Sequence, residues 1–422
     1  MKDSGLKFET RALHGNEARK ESHNALRFPE YSGVAFDFAK AEDMELAFTH
    51  RKPAHTYSRI TNPTVEHFEK KLALLEQGSA AVALSSGMAA LTTALLAVLK
   101  RGDNLVASKY LFGNTYSLLK NTLTEFGIET RFVDIKECDK IAEAIDGETR
   151  LILVETISNP QMVVPDFAKI AALAAEHNLI LMVDGTVTTP FLFAAKEFGV
   201  HVVIHSTTKF ISGGATSVGG IIVDLGTCDW SKCPALGKYH RYGQSAFMAR
   251  LRMEVHRNFG ACMSPQSAYL QTLGLETLVL RVRTSCDNAL ALAKYLRARP
   301  EVRDVTYPGL GESPFHDLAQ RQYNGRFGGV LSFELENKKE AFRFINSLRL
   351  IRRATNINDN KTLVIHPAST IFADCSPEEK AGMNVSEGLV RLSVGIEHLE
   401  DLVSDIGQAF QTQQPDHEIN EG

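Results

Sequence analysis

The sequence predicts an α/β fold, a mostly parallel sheet with helices on both faces, and three observations predict it. Between Asn62 and Val183, short apolar runs alternate with runs of helical period. The runs Leu105–Ala107, Leu151–Glu155 and Leu179–Val183 are almost continuously apolar rather than alternating, as strands buried on both faces are. Polar, chemistry-bearing residues follow several of these runs, at the strand ends where open α/β sheets hold their ligands.

Taken in order, the first sixty residues are polar with little periodicity. Their scattered aromatics (Phe28, Tyr31, Phe36, Phe38, Phe48) need a main domain or another subunit to pack on, so residues 1–61 read as an extended N-terminal arm. At Asn62 the pattern changes. Asn62 can cap a helix, Pro63 suits its first turn, and Val65, Phe68, Leu72 and Leu75 recur at spacings of three and four. A strand over Ala81–Leu84, a Ser85-Ser86-Gly87 turn and a helix from Met88 to Lys100, stopped at Gly102, follow.

Helices near Thr115–Phe126 and Lys140–Ile145 flank a strand near Thr130–Val133, and Phe167–Glu176 is a helix with an alanine-broadened apolar face. Val202, Val203 and Ile204 make one more buried strand, and residues 62–262 form the large domain. After about Gly260 the rhythm changes to a long helical stretch, Pro265 to about Leu296. Strands near Val302–Thr306, Val330–Glu334, Thr362–Ile365 and Leu389–Val394 then alternate with helices near Lys339–Leu348 and His398–Phe410. Residues 263–422 therefore read as a smaller C-terminal α+β domain, ending in a frayed QTQQPDHEINEG tail.

Size and charge exclude several classes of function. The 422 residues suffice for two or three cores. With 46 Lys+Arg against 50 Asp+Glu, the chain carries no excess of positive charge for nucleic acid or an anionic membrane, so the expected partner is a small molecule. Its longest mainly apolar run, Met88–Leu99, falls short of the roughly 20 residues a spanning helix needs. The opening MKDSGLKFETRALHG has no apolar signal core and the six cysteines form no CxxC pair, which makes a reducing cytoplasm the expected compartment.

Four features carry chemistry, and each has a plain structural alternative. Lys209 follows the hydroxyls Ser206, Thr207 and Thr208 past a strand end and precedes glycines that keep bulk away; it is a candidate covalent amine, or else a surface lysine in a polar turn. Asp184 closes the strand LILMV, as a ligand carboxylate or as a turn former. Ser85-Ser86-Gly87-Met88 opens a helix whose N–H groups suit a phosphate, or is an ordinary cap. Arg391 interrupts an apolar strand, to hold a carboxylate with its planar fork or to pair with an internal acid.

Together these are the parts that pyridoxal 5′-phosphate (PLP) chemistry on an amino acid demands: an amine for the Schiff base, an acid for the pyridine nitrogen, a phosphate cradle and a carboxylate-binding Arg. His201 and His205 lie four apart on a strand, not a helix, so no metal site is expected. GGATSVGG does not run from a strand into a helix as a dinucleotide fingerprint does.

Over nearly its full length the chain resembles the Cys/Met-metabolism family of PLP enzymes, relatives of cystathionine γ-synthase. The matching text is Tyr57-Ser58-Arg59 with Asn62-Pro63-Thr64, SSGMAA at 85–90, Glu155-Thr156 with Asn159-Pro160, Asp184, HSTTK at 205–209, GLETLVLR at 274–281, HPAST at 366–370 and RLSVGIE at 391–397. The resemblance implies PLP fold type I, with a large domain like that of aspartate aminotransferase. It implies Lys209 as Schiff-base lysine and proton carrier and Asp184 on the pyridinium, with Thr186 beside it. Gly87, Met88, Ser206 and Thr208 would hold the phosphate, and Asn159 would lie near the ring hydroxyl. Tyr57 and Arg59 would reach the phosphate from a neighbouring subunit, so that sites are shared in a dimer and dimers pair into a homotetramer.

Arg391 and the Asn356 segment are the implied substrate contacts. This chain departs from the family in three places. Phe112-Gly113 replaces Tyr-Gly, keeping a stacking platform without its hydroxyl, so acid–base work falls to Tyr57 or Lys209. Asp184-Gly185-Thr186 replaces Asp-Asn-Thr, and Asn356-Ile357-Asn358 replaces Ser-Leu-Gly. The implied reaction is γ-substitution on O-acetyl-L-homoserine by a sulfur nucleophile, giving homocysteine and acetate, as in O-acetylhomoserine sulfhydrylases. The alternatives are a methionine or cystathionine γ-lyase and, from another class, a PLP-binding protein with little turnover.

Overall fold

The computed structural model describes residues 5–15 and 24–411; the expected frayed tail beyond residue 411 lies outside the described residues. Two compact units are formed, one from Met1–Thr156 with Pro165–Val279 and the other from Ile157–Val164 with Leu280–Gly422.

The first unit is built on a seven-stranded sheet: β1 (Ala80–Leu84), β2 (Asn104–Ser108), β3 (Glu129–Val133), β4 (Thr149–Glu155), β5 (Ile180–Asp184), β6 (Val202–His205) and β7 (Gly220–Asp224). Their spatial order is β1-β7-β6-β5-β4-β2-β3. Only β7 runs against its neighbours, so the expected mostly parallel sheet is present.

Alternate residues show why the strands read as continuously apolar. Val82, Leu84, Leu105, Ala107, Leu151, Leu153, Ile180, Met182, Val202 and Ile204 pack in one buried cluster with Leu91, Leu95 and Val98 of helix Gly87–Val98. The intervening Val106, Ile152, Leu181 and Val203 are equally buried, and helix Phe167–Glu176 packs on β5. Burial of each such side chain contributes about 1.5–3 kcal/mol, which leaves no water-facing side to the central strands.

Helix Pro63–Leu75 starts as its sequence predicts: the Asn62 side chain accepts from the N–H groups of Thr64 and Val65, with Pro63 in the first turn. The arm departs from the extended reading, because Phe8–His14 and Ala41–Phe48 are helical. Its aromatics find partners within the same unit. Phe8 lies 5.4 Å from Phe191, and Phe28 stacks on His67 at 4.5 Å.

The second unit carries a five-stranded sheet of β8 (Asp304–Thr306), β9 (Val330–Glu334), β10 (Arg352–Arg353), β11 (Leu363–Ile365) and β12 (Leu389–Ser393), ordered β10-β11-β12-β9-β8. All pairs are antiparallel except β10 with β11. Helices Lys338–Ser347 and Leu399–Gln411 pack on each other. No described helix is long and apolar enough to cross a membrane.

Candidate active site

In the first unit the parallel strands end together. β4, β5 and β6 are neighbours, with Glu155 opposite Asp184 and Asp184 opposite Ile204. Asp184 is the last residue of β5, and its Oδ1 accepts from the Thr186 N–H at 2.9 Å. Thr186 Oγ1 accepts in turn from the Ser206 N–H at 2.8 Å, which ties the end of β5 to the turn that carries Lys209. Burial pushes the Asp184 carboxyl above its ordinary pKa, against the opposing pull of Thr186, His205 and Lys209. Among the described residues it forms no ion pair, so a cationic ring nitrogen is the partner this carboxylate suits.

Lys209 is fixed through its backbone. Its N–H donates to Ser206 O at 3.2 Å, and its carbonyl accepts from both the N–H and the hydroxyl of Ser212. The following turn is pressed against helix Pro265–Glu276. A Cβ on Gly274 would lie 2.4 Å from Ile211 O and 2.6 Å from Gly213 N, so the glycine of the GLETL text is a packing requirement of the lysine loop.

A phosphate cradle is present at helix Gly87–Val98. Gly87 and Met88 supply its first two N–H groups, which have no partners inside a helix. A Cβ on Gly87 would meet Ser206 Oγ at 2.8 Å, so the bare backbone and that hydroxyl line one small space. Thr208 is committed differently: its hydroxyl donates to Gly219 O at 3.1 Å and accepts from Gly219 N at 3.0 Å. It pins β7's leading residues beneath the cradle and keeps one lone pair in reserve.

Three further residues, named in the sequence without a role, shape this half of the site. Glu155 Oε1 accepts from the Phe112 N–H at 2.6 Å, anchoring the aromatic platform to a strand end. Gly185 lies against the His205 ring, whose Cε1 is 2.6 Å from where a Cβ would sit, so the ring fills the space a side chain there would need. That ring is held below by a buried contact to Glu76. His201 is engaged separately, accepting from the Leu181 N–H.

Tyr57 and Arg59 are not brought to this cluster. Both are exposed; Arg59 lies over the Tyr57 ring at 5.4 Å and donates to Arg257 O at 2.7 Å. No hydrogen bond or ring contact joins either to Lys209, Asp184 or Ser206.

The second unit holds Arg391, Asn356 and Asn159. Arg391 sits mid-strand in β12, opposite Ser332 of β9, and is fully buried at 0% exposure. Its Nη2 donates to Asn356 O at 3.2 Å, while Nε and Nη1 have no partner among the described residues. Burial alone lowers its pKa from the ordinary guanidinium range to about 9. Ser332, on the same face, donates to Pro160 O at 2.7 Å and so seats the Asn159-Pro160 segment there. Asn159 Oδ1 is also buried and unpartnered. The Asn356 carboxamide points its Nδ2 at Asp359.

A half-buried carboxylate without an ion pair among the described residues, near a lysine, and glycine-lined N–H groups beside a free hydroxyl fit the pyridine and phosphate ends of PLP. That equipment at the strand ends of a mostly parallel sheet is the equipment of a PLP enzyme of fold type I, the fold of its solved neighbours. The chain belongs to the Cys/Met metabolism PLP-dependent enzyme family, whose model matches residues 9–411.

Among its relatives, the homocysteine synthase of Schizosaccharomyces pombe is 38% identical over 420 residues, covering 96% of this chain and 98% of the relative. The L-methionine gamma-lyase of Pseudomonas putida is 37% identical over 405 residues, covering 96% and 97%. A crystal structure from Campylobacter jejuni, assigned as an O-acetylhomoserine (thiol)-lyase, matches with a TM-score of 0.90 at 32% identity, over 96% of this chain and all of that one. It carries a pyridoxyl-lysine phosphate adduct.

Proposed function

We propose that this enzyme performs PLP-dependent γ-substitution, converting O-acetyl-L-homoserine and sulfide into L-homocysteine and acetate in the cytoplasm. The observation that carries amino-acid chemistry is Arg391, a fully buried guanidinium with two unpartnered nitrogens that only an anion would satisfy. The homocysteine synthase and thiol-lyase relatives support the choice of reaction within the family.

When bound, the cofactor supplies an electron sink conjugated with the substrate amine. Lys209 is the residue that would hold it, and its side-chain amine would move protons at the substrate Cα and Cβ. Asp184 keeps a proton on the pyridine nitrogen, with Thr186 steadying the carboxylate. Gly87, Met88 and Ser206 would hold the phosphate, Thr208 fixes the floor of that cradle through Gly219, and Phe112 would serve as the aromatic platform. Asn159 would take the ring hydroxyl, and Arg391 would orient the substrate carboxylate. The Cγ–O bond breaks with its electron pair leaving on acetate, and a Cγ–S bond forms from sulfide.

Tyr57 and Arg59 act on the phosphate of a neighbouring copy, Tyr57 doubling as an acid–base group where Phe112 has no hydroxyl. Their exposure and mutual stacking support a dimer with shared sites, paired into a tetramer. Residues 1–61 would form the contacting arm, and the large and small domains would follow the two compact units, with 263–279 in the large domain and 157–164 in the small one.

A γ-lyase is the second reading, favoured by the methionine gamma-lyase relative. A protein that only kept PLP would have no use for Arg391. Incubation with O-acetylhomoserine and sulfide, then with methionine alone, separates the three. Homocysteine and acetate in equal amounts from the first mixture support γ-substitution; 2-oxobutyrate from methionine as the main activity overturns it; no product in either leaves the binding protein.

A further inference from the structure

The guanidinium of Arg391 is aimed by a single bond. Among the described residues its sole partner is the main-chain carbonyl of Asn356, 3.2 Å from Nη2. Whatever sets the direction of that carbonyl sets where Nε and Nη1 point.

The turn that carries Asn356 is organised by Asp359. Its Oδ2 accepts from Asn356 Nδ2 at 3.1 Å, and its Oδ1 accepts from the Lys361 N–H at 3.1 Å. One carboxylate therefore clamps the residues three before and two after it. A carboxylate can accept both bonds without a donor clash, which a carboxamide cannot. The rest of the turn is stitched to the strand that bears Arg391. Asn358, at a φ of +54°, donates its N–H to Ser393 Oγ at 2.7 Å. Asn360 O accepts from Ile396 N at 2.9 Å, and Thr362 donates its N–H and hydroxyl to Glu397. The Arg391 strand and the Asn356 turn thus form one rigid piece, of which Asp359 is the corner. Asp359 makes no ion pair with Arg391 among the described residues, so its influence passes through Asn356 rather than through direct charge pairing.

We propose that Asp359 is a positioning residue for recognition of the substrate carboxylate, acting through the Asn356 carbonyl on Arg391. The proposal rests on the reading of Arg391 as the carboxylate's partner. It places Asn356 in the site through its main chain, with its side chain serving the turn.

The test compares two ligands that differ only in the carboxylate, L-homoserine and 3-aminopropan-1-ol, as competitive inhibitors of the PLP holoenzyme and by their change in cofactor absorbance. Asp359→Ala is expected to raise the inhibition constant of L-homoserine, and KM for O-acetyl-L-homoserine, about tenfold, the scale of one hydrogen bond to a charged group. The constant for the amine should stay unchanged and kcat should fall less than KM rises. Asp359→Asn, which keeps one acceptor, should recover part of the loss. In an Arg391→Met background, Asp359→Ala should add nothing.

Equal weakening of both ligands, or no change in either, would overturn the proposal. If Asp359→Ala does not fold, Asn356→Ala breaks the same bond from the other side while leaving its carbonyl, and is held to the same selective loss. Absence of homocysteine from the unaltered enzyme would fault the assigned reaction instead, since the ligand comparison reads carboxylate recognition whatever the reaction.

Discussion

Replacing Arg391 with Met should make the ligand-free enzyme more stable while removing most of its activity. The guanidinium is fully buried, holds one bond to Asn356 O, and leaves Nε and Nη1 unpartnered among the described residues. Its pKa, pushed down to about 9 by burial, corresponds to several kcal/mol of unfavourable charge burial, at about 1.4 kcal/mol per pH unit. Because the folded value lies below the unfolded one, this penalty is fully present below pH 9 and fades only as the pH rises above 9 toward the ordinary guanidinium range. Met keeps the apolar stem and drops the charge. It forfeits the Asn356 bond, about 1 kcal/mol, and local relaxation absorbs a further share. The net expectation is a gain of roughly 2–3 kcal/mol in urea unfolding at pH 7.5, at fixed protomer concentration.

The same substitution should lower kcat/KM for the amino acid by about 2–5 kcal/mol, the scale for breaking a buried charged contact. Amino-acid ligands should raise the thermal midpoint of the unaltered protein and not that of the variant. A variant several kcal/mol less stable with kcat/KM intact would show Arg391 to be structural, and the reading of the site would fail with it.

Lys209→Ala should abolish both the visible absorbance of the bound cofactor and turnover; an unchanged, borohydride-reducible spectrum would refute the covalent role. Gly274→Ala sets a Cβ against three backbone atoms of the lysine loop and should cost about 1–3 kcal/mol, with weakened cofactor retention measured by dialysis. Burial, with Arg252 and Arg59 nearby, holds the His256 pKa at about 4. Its stabilising contribution is therefore complete above pH 6.5 and lost as the pH falls from 6.5 through 4. His256→Gln should flatten the stability profile across that window, and a profile as steep as before would exclude His256 as its source. Co-expressed Lys209→Ala and Tyr57→Phe/Arg59→Ala chains should regain activity that neither has alone; no recovery would argue against shared sites.

The sequence reveals the strand ends best, because burial on both faces and the carboxylate, hydroxyls and lysine that follow are all written in residue types. It hides contacts made by backbone. Gly220–Asp224 pairs as the one antiparallel strand of its sheet, yet in the sequence it trails a glycine-rich stretch that reads as clearance for a ligand. The turns and helices between Pro234 and Phe259 mix short helical types and show no single period. Glu155 reads as the last residue of a strand; its service to Phe112 is visible only once β4 and the Phe112 turn are neighbours.

The same limit governs the departures from the family text. Gly185 is matched to a ring twenty positions away, and Asn358 stands at a positive φ that asparagine tolerates in place of glycine, locked by Ser393. Such substitutions read singly as doubts about the substrate. Paired with their contacts, they preserve the strand-end geometry around Asp184 and the clamp on Arg391. Specificity in this chain is therefore to be sought in how the Arg391 turn is held.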